Sequence, residues 1–375
     1  MQGQWIGRIS GNFEGTLRVE LERRRGRIVG NAYLFYDVQH FLPGFQFPIS
    51  MPDEAPYETQ VITSYCYAEG GKMSWPERHE AEKNMSERFG IPTIPAAAVV
   101  NFEVLKTGCL HLKWAGDGQS GSETILLSDA GGESEIVSRS DLITWDDFRQ
   151  WSIGQEPRRY IFRGQANPFK LTTTFHRTWR NDLSAWITDD VSRLYGAIIE
   201  KISYPLELGK IQHNAVIWSI LQHHGYPTPL LDWTFSPFVA AYFAFESARR
   251  LEVSNPRIFI FDKTAWEASY GRQTLIADAA PPQFITLENM SVGNPRSGPQ
   301  QALSAVSNVT DIEAFIRERE KTDRQTYLQV CDLNSDESPK IMRELELMGI
   351  TYGSLFPGLD GICRDLKDRL FNRFD

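Results

Sequence analysis

The sequence predicts an α+β protein in which an antiparallel β-sandwich or barrel precedes a mixed α+β domain. Two observations support this fold class. Residues 5–36 alternate apolar and polar side chains between glycines, which is typical of antiparallel strands in a meander. After residue 137, apolar residues recur at helical spacing between short β-rich segments. Because 375 residues suffice for two cores, we predict domains at 1–137 and 138–375.

The first domain is predicted to consist of short antiparallel strands. Residues 97–128 repeat the alternation of the first segment, and Gly131 and Gly132 indicate the linker that leaves the domain. The basic run at 22–27, ERRRGR, is interpreted as a solvated hairpin turn. The aromatic residues of this half are assigned to its core, including Trp5, Phe13 and Tyr33. We expect only an interaction role for this domain.

The second domain is predicted to mix helices with strands. Thr144 is a candidate N-cap for a helix over the following aromatic residues, and a longer helical region is expected at about 182–224. Apolar runs at 257–262 and 326–333 predict strands on either side of a loop-rich region. Two amphipathic helices are expected at the end of the chain, around 339–348 and 358–373.

Composition excludes several classes of function. The net charge is −9, with 39 basic against 48 acidic residues, so a non-specific grip on nucleic-acid backbones is disfavoured. The four cysteines lack CxxC spacing, so we expect reduced thiols and no metal site. There is no apolar run of 18 residues and no export signal, which predicts a cytoplasmic protein without membrane contact.

The segment YIFRGQANPFKL at 160–171 carries the first candidate site residue. Arg163 follows apolar residues, and we expect it at a strand end where its guanidinium can bind an anion. Gly164 beside it permits close backbone approach.

A second dense motif, HHGYPTPLLDWTFSPFVAAYFAFE, spans residues 223–246. His223 is expected in the last turn of a helix that Gly225 terminates, either as a cap or as a base near neutral pH. Asp232, set between Leu-Leu and Trp-Thr, needs a partner, for which Arg163 or a histidine is the candidate. Ser236 is expected to cap a helix that has Pro237 at its first position.

These motifs closely resemble the bacterial FRG domain, named for the triplet Phe162-Arg163-Gly164. The resemblance covers roughly residues 140–375 and includes HHGYPT, LLDWT with Ser-Pro, and the late LFPGLDG run. The order of the motifs is similar to that of ADP-ribosyltransferases. The resemblance therefore implies NAD as a substrate and a macromolecular acceptor, either nucleic acid (RNA or DNA) or protein. A toxin or anti-phage effector with an antitoxin or other regulatory partner is the corresponding biological role.

The resemblance also implies roles for individual residues. It implies catalytic roles for Arg163, His223, Asp232 and Gln301, with Gln300 as the alternative to Gln301. NAD binding falls to a set of six residues: Arg163, Gly164, Gln165, Thr234, Ser236 and Tyr242.

The chain departs from the pattern in two ways: it has no obvious catalytic glutamate at the late position, and Ala302 stands where relatives tend to have glycine. Two alternatives therefore stay open, an NAD glycohydrolase and a non-catalytic recognition module.

Overall fold

A computed structural model describes most of the chain. The described residues are 1–10, 14–36, 42–69, 72–201, 206–208, 210–251, 256–271, 281–288 and 294–371. Phe13, which the sequence assigns to the core, lies outside them. The chain forms two antiparallel sheets with helices, so the predicted α+β class is confirmed.

The first sheet has ten strands and is accompanied by one helix. The strands are β1 (Gly3–Ile9), β2 (Gly15–Arg24), β3 (Arg27–Phe35), β4 (Leu42–Pro52), β5 (Glu58–Ile62), β6 (Ser64–Glu69), β7 (Lys72–Ser74), β8 (Ala97–Val104), β9 (Leu110–Gly116) and β10 (Gln119–Leu127). Their order is β5-β8-β9-β10-β1-β2-β3-β4-β6-β7. Helix α1 (Arg78–Phe89) has no counterpart in the sequence prediction, because its residues are mostly polar and show little helical periodicity.

The first sheet curls into a nearly closed barrel. The second half of β4 approaches β5, the strand at the opposite end of the sheet order, and Thr59 Oγ1 donates to Ser50 O at 3.0 Å. Inward-facing residues of β1–β4 and β8–β10 share one apolar core with Ala81 and Met85 of α1. The predicted alternation is therefore realised as a barrel.

The second sheet has six strands, all antiparallel. They are β11 (Tyr160–Gln165), β12 (Leu230–Thr234), β13 (Arg257–Asp262), β14 (Phe284–Leu287), β15 (Ala302–Ser307) and β16 (Leu328–Asp332). The order is β14-β15-β12-β11-β13-β16. Both predicted strands that flank the loop-rich region are present, as β13 and β16.

Helices accompany the second sheet, and those up to α10 cover it in three groups. They are α2 (Trp145–Ile153), α3 (Thr174–Arg177), α4 (Leu183–Ala185), α5 (Ser192–Ile198), α6 (Ile211–His223), α7 (Pro237–Leu251), α8 (Lys263–Tyr270), α9 (Ile312–Asp323), α10 (Ser338–Leu347), α11 (Tyr352–Leu355) and α12 (Leu359–Phe371). Helices α2, α7 and α10 pack on β11 and β13, helices α3–α6 pack on β12 and β15, and helices α8 and α9 cover the opposite face.

Local signals in the sequence place several helix ends correctly. Thr144 Oγ1 accepts from Asp147 N in a capping box, and Ser236 Oγ accepts from Val239 N at 3.2 Å. Gly225 has φ 82 just after α6. The long helical region expected at 182–224 is instead divided, with a π-helical turn at Trp186–Val191 between α4 and α5. Among the described residues, no helix is long and apolar enough to cross a membrane.

Buried polar groups join the barrel to the second domain. Glu22 Oε1 accepts from the backbone N–H groups of Asn181 and Asp182 at 2.7 and 2.8 Å, and Asn31 Nδ2 donates to Asp182 Oδ2. The ERRRGR run does form a hairpin turn, with Arg25 at φ 50. Its description as solvated is wrong for Glu22, because the second domain buries that carboxylate.

Glu20 lies in the same buried cluster. Its carboxylate pairs with Arg18 Nε at 3.1 Å and accepts from Gln4 Nε2, whose amide also donates to Asn308 O. Burial, opposed by Arg18 and reinforced by Asp182, raises the pKa of Glu20 to about 8.

We expect stability to fall as pH rises from 6.5 to 8.5. In the unfolded chain Glu20 loses its proton near its ordinary pKa, whereas the folded protein retains that proton until pH 8, so folding binds a proton in this window. The loss is about 2 kcal/mol, and the Glu20→Gln variant removes most of it. Urea unfolding at pH 6.5 and 8.5 measures the effect, with exposed Glu58→Gln as the control. An unchanged pH dependence in Glu20→Gln would contradict this assignment.

Candidate functional site

The centre of the second sheet contains a split between two strands. Strands β11 and β12 pair at a single position, Phe162 with Thr234, after which β11 follows β13 and β12 follows β15. Arg163 NH1 donates to the backbone O of Asp232 at 2.6 Å across the gap. A guanidinium thus supplies the donor that a neighbouring strand would otherwise give this carbonyl.

The position of Arg163 differs from the prediction in one respect. The residue was expected at a strand end, but it is the fourth residue of β11, and Gly164 and Gln165 continue the pairing with β13. Asp232 is the third residue of β12 and lies inside that strand. The divergence of the two strands, rather than a strand end, gives the guanidinium access to open space.

A cavity of about 410 Å³ opens at this split. Its floor is the sheet, and its walls are α6, α7 and the segment 294–300. Helix α6 contributes Ser219, Gln222 and His223, and helix α7 contributes residues on one helical face: Ala240, Phe243 and Ser247. The cavity brings together three of the four predicted catalytic residues: Arg163, His223 and Asp232.

Arg163 lines the cavity, and most of its N–H donors are not used in hydrogen bonds to the described residues. Within the described residues, its only hydrogen bond is the one from NH1, and its buried Nε has no partner. Desolvation lowers the pKa of Arg163, and Asp232 opposes that shift. Because an arginine side chain is not deprotonated in proteins, the guanidinium remains a cation at neutral pH.

The Asp232 carboxylate is held by side chains of two elements, α6 and β15. Gln222 Nε2 donates to its Oδ1 at 2.6 Å, and Gln222 Oε1 accepts from Thr228 Oγ1 at 2.5 Å, which fixes the orientation of the amide. Ser304 also hydrogen-bonds the carboxylate. Asp232 is exposed to the cavity but is otherwise surrounded by protein, so desolvation raises its pKa despite the Arg163 charge.

The predicted ion pair between Arg163 and Asp232 takes a different form. The guanidinium bonds to the backbone carbonyl, while the carboxylate bonds to Gln222 and Ser304. Both charged groups therefore retain capacity for a ligand.

His223 occupies the last turn of α6, as the sequence predicts, and its side chain lines the cavity. Desolvation, followed by the nearby charges of Arg296 and His224, lowers the pKa of His223. The imidazole is consequently neutral at pH 7 and can accept a proton or a hydrogen bond.

Arg296 is a cavity residue that the sequence analysis missed. Its guanidinium lies 4.9 Å from the centre of the Phe356 ring, and both residues line the cavity. The sequence predicts the segment NPRSGPQQ only as part of a loop-rich region, with Gln300 and Gln301 as its candidate site residues. A basic residue in a loop has no periodic signal, so nothing in the local pattern separates Arg296 from a solvated arginine.

Of the two candidate glutamines, Gln300 lines the cavity and Gln301 does not. Gln300 Nε2 donates to Leu355 O, and its backbone O accepts from Thr234 Oγ1 at 2.7 Å. Gln301 is exposed, with φ 45, and lies outside the cavity lining. Gln301 therefore does not share the cavity with the other predicted catalytic residues, whereas its alternative Gln300 does.

The predicted NAD-binding residues divide into two groups. Arg163, Gly164 and Thr234 line the cavity. The other three do not: Gln165 donates to Phe169 O, Ser236 caps α7, and Tyr242 is buried in the core beneath α7. Phe243, the next residue along the helix, takes the cavity position expected for Tyr242.

Gly164 has a packing role that the sequence analysis did not identify. A Cβ at this position would lie 1.8 Å from the backbone O of Ala240 and 2.8 Å from Ala244 N. The missing side chain lets α7 rest directly on β11, which sets the wall of the cavity beside Arg163.

Comparison with known proteins gives one family match. Residues 158–252 match the model of the FRG domain family. The chain contains an FRG domain. No curated protein and no solved structure matches the chain.

The FRG match covers one side of the cavity. It includes Arg163, His223 and Asp232 and ends shortly after α7. Arg296, Gln300 and Phe356 lie beyond residue 252, so the other side of the cavity comes from the part of the chain that follows the match.

Proposed function

We propose that the FRG cavity binds NAD and that the protein is an ADP-ribosyltransferase-like enzyme acting on a macromolecular acceptor, which is RNA, DNA or protein. The observation that supports this most is the placement of two guanidinium groups, Arg163 and Arg296, around one open cavity that also contains Asp232. The proposed role as a toxin or anti-phage effector rests on the family resemblance alone.

The volume and the charged lining of the cavity support the proposal of a nucleotide ligand. Ligand sites typically enclose about 300–1,000 Å³, and this cavity has a volume of about 410 Å³. Arginine binds phosphate oxygens with two parallel hydrogen bonds, so Arg163 and Arg296 suit a pyrophosphate. Phe243 and Phe356, whose ring centres are 6.1 Å apart, offer apolar surface to the flat rings of the ligand.

The reaction would break the bond between C1′ of the nicotinamide ribose and the nicotinamide nitrogen. The electron pair of that bond leaves with neutral nicotinamide, and the ribose passes through an oxocarbenium-like state. A lone pair of the acceptor then forms the new bond to C1′, and the acceptor loses a proton. Asp232 and neutral His223 are the candidate proton acceptors, and Asp232 would also stabilise the positive charge on the ribose.

No glutamate occurs among the described residues that line the cavity, where Asp232 is the carboxylate. The proposal therefore assigns to Asp232 the acceptor role that the late glutamate has in ADP-ribosyltransferases, with Gln300 beside it. The same observation favours the alternative that the cavity binds its ligand without turnover. Water in place of the macromolecule would make the protein an NAD glycohydrolase.

One incubation distinguishes these three functions. The protein is mixed with NAD labelled on the adenine side, with and without bacterial lysate, and nicotinamide release and covalent label are measured. A transferase labels protein or nucleic acid, whereas a glycohydrolase releases nicotinamide without lysate and attaches no label. In a parallel calorimetric titration, saturable NAD binding without nicotinamide release identifies a recognition module for NAD, and absence of binding contradicts the proposal that the cavity takes NAD.

The pH dependence of turnover tests the role of Asp232. Because burial raises its pKa, the acid limb of kcat/KM is expected above the ordinary range of an aspartate, with the rate falling as the carboxylate gains a proton. Asp232→Asn should lower turnover by about 10²-fold or more and abolish that limb. The Gln222→Leu variant removes a donor to the carboxylate and should move the limb to higher pH. A profile that is identical in wild type and Asp232→Asn would contradict the role.

A further inference from the structure

The barrel contains a second cavity, remote from the FRG site. Its volume is about 120 Å³, and it lies at the end of the barrel where the segment before β8 crosses. The lining is almost entirely apolar and includes Ile94, Val100 and Leu112. Small barrels are normally filled by their own side chains, and voids larger than a water molecule are rare in protein cores. An apolar cavity of about 150 Å³ binds benzene.

One carboxylate interrupts this apolar lining. Glu123 lines the cavity. Because side chains alternate along β10, Glu123 lies on the same face of the strand as Ile125, which is buried in the barrel core. It stands opposite Leu112 of β9. Among the described residues, Glu123 has neither a hydrogen bond nor an ion pair, and burial raises its pKa. An acidic side chain at an inward-facing position is a departure from the pattern of the other strands.

A tryptophan is the diagonal neighbour of Glu123 in the strand register. Trp114 also lines the cavity, and its register partner is Gly121, where a Cβ would lie 2.7 Å from Trp114 Nε1. The glycine therefore makes room for the indole next to Glu123. Strand pairing between β9 and β10 fixes the backbone of Trp114 and Glu123. Thr63 and Pro95 also line the cavity, and Thr63 Oγ1 donates to Pro95 O at 2.6 Å.

We propose that this end of the barrel binds a small organic amine, with an apolar body of roughly benzene size in the cavity and its ammonium group against Glu123 and Trp114. The apolar lining accounts for the body. A carboxylate next to an indole face is the combination that recognises an organic cation, through a charged hydrogen bond and a cation–π contact. Through this site a small metabolite would bind the domain that docks on the FRG domain.

The proposal is tested with three probes of equal size but different charge. Benzylamine, benzyl alcohol and benzoate are titrated into the full-length protein, and the Trp114 indole resonance is followed by NMR. Benzylamine is expected to bind at least about tenfold more tightly than benzyl alcohol, with benzoate weakest. Glu123→Gln should reduce the affinity for benzylamine by a similar factor and leave that for benzyl alcohol unchanged.

Two further variants keep the outcome decisive. Ala98→Leu places a larger side chain in the cavity lining and should weaken both benzylamine and benzyl alcohol. Exposed Glu103→Gln on β8 is the matched control and should have no effect. The proposal is overturned if none of the three probes saturates at millimolar concentration. It is equally overturned if benzylamine and benzyl alcohol bind alike, or if benzylamine binds Glu123→Gln as it binds the wild type.

Discussion

Arg163→Ala should abolish NAD consumption while the protein remains folded. The substitution removes the cationic group that faces the cavity at the split between β11 and β12. Loss of one pre-organised donor to a developing charge typically costs about 10²–10³ in rate, so we expect a fall of at least that size. Nicotinamide release at saturating NAD measures it.

The same substitution has a smaller effect on stability. The carbonyl of Asp232 loses its donor from Arg163, although the adjoining cavity allows water to replace it. We expect about 1–2 kcal/mol of destabilisation, measured by urea unfolding. Arg163→Lys keeps the charge but not the two parallel donors, and exposed Arg158→Ala serves as the control outside the cavity. If Arg163→Ala unfolds the domain, the residue is structural and its assignment to NAD binding loses its basis.

Gly164→Ala is expected to cause the largest loss of stability. The new methyl group would overlap backbone atoms of Ala240 and Ala244, which belong to a helix and cannot rotate away. Helix α7 would have to move off β11, which disrupts a core that includes Phe162 and Phe245. We expect destabilisation by about 3 kcal/mol or more.

A second glycine provides the control for Gly164→Ala. A methyl at Gly196 in α5 meets nothing within 4 Å, so Gly196→Ala should leave the midpoint of thermal unfolding unchanged or slightly raised. Thermal unfolding followed by circular dichroism compares the two variants. Equal midpoints for Gly164→Ala and wild type would show that α7 does not rest on β11 as closely as described.

The sequence predicts the elements of this fold well where the signal is local. Alternation of apolar residues identifies β1–β3 and β8–β10 of the barrel. The hydroxyl groups of Thr144 and Ser236 mark helix starts because capping depends on nearby backbone N–H groups. Gly225 marks the end of α6 because glycine accepts the left-handed backbone, here φ 82, that follows a helix.

Features that depend on distant parts of the chain could not be predicted. The run IFRGQ indicates a strand but not where its neighbour departs, so the split that exposes Arg163 is invisible locally. The burial of Glu22 requires the second domain. Helix α7 presents Phe243 rather than Tyr242 to the cavity. This orientation follows from the close approach of α7 to Gly164, which is itself a tertiary contact.

Equilibrium binding of NAD to the Asp232→Asn variant tests the central claim most directly. This variant should turn over at least about 10²-fold more slowly but keep the arginine groups of the cavity, so calorimetry can record saturable binding of NAD and of ADP-ribose. We predict binding of both ligands, weakened at least about tenfold when Arg163→Ala is added. Absence of saturable binding, or equal affinity with and without Arg163, would contradict the proposal that this cavity holds the pyrophosphate of NAD.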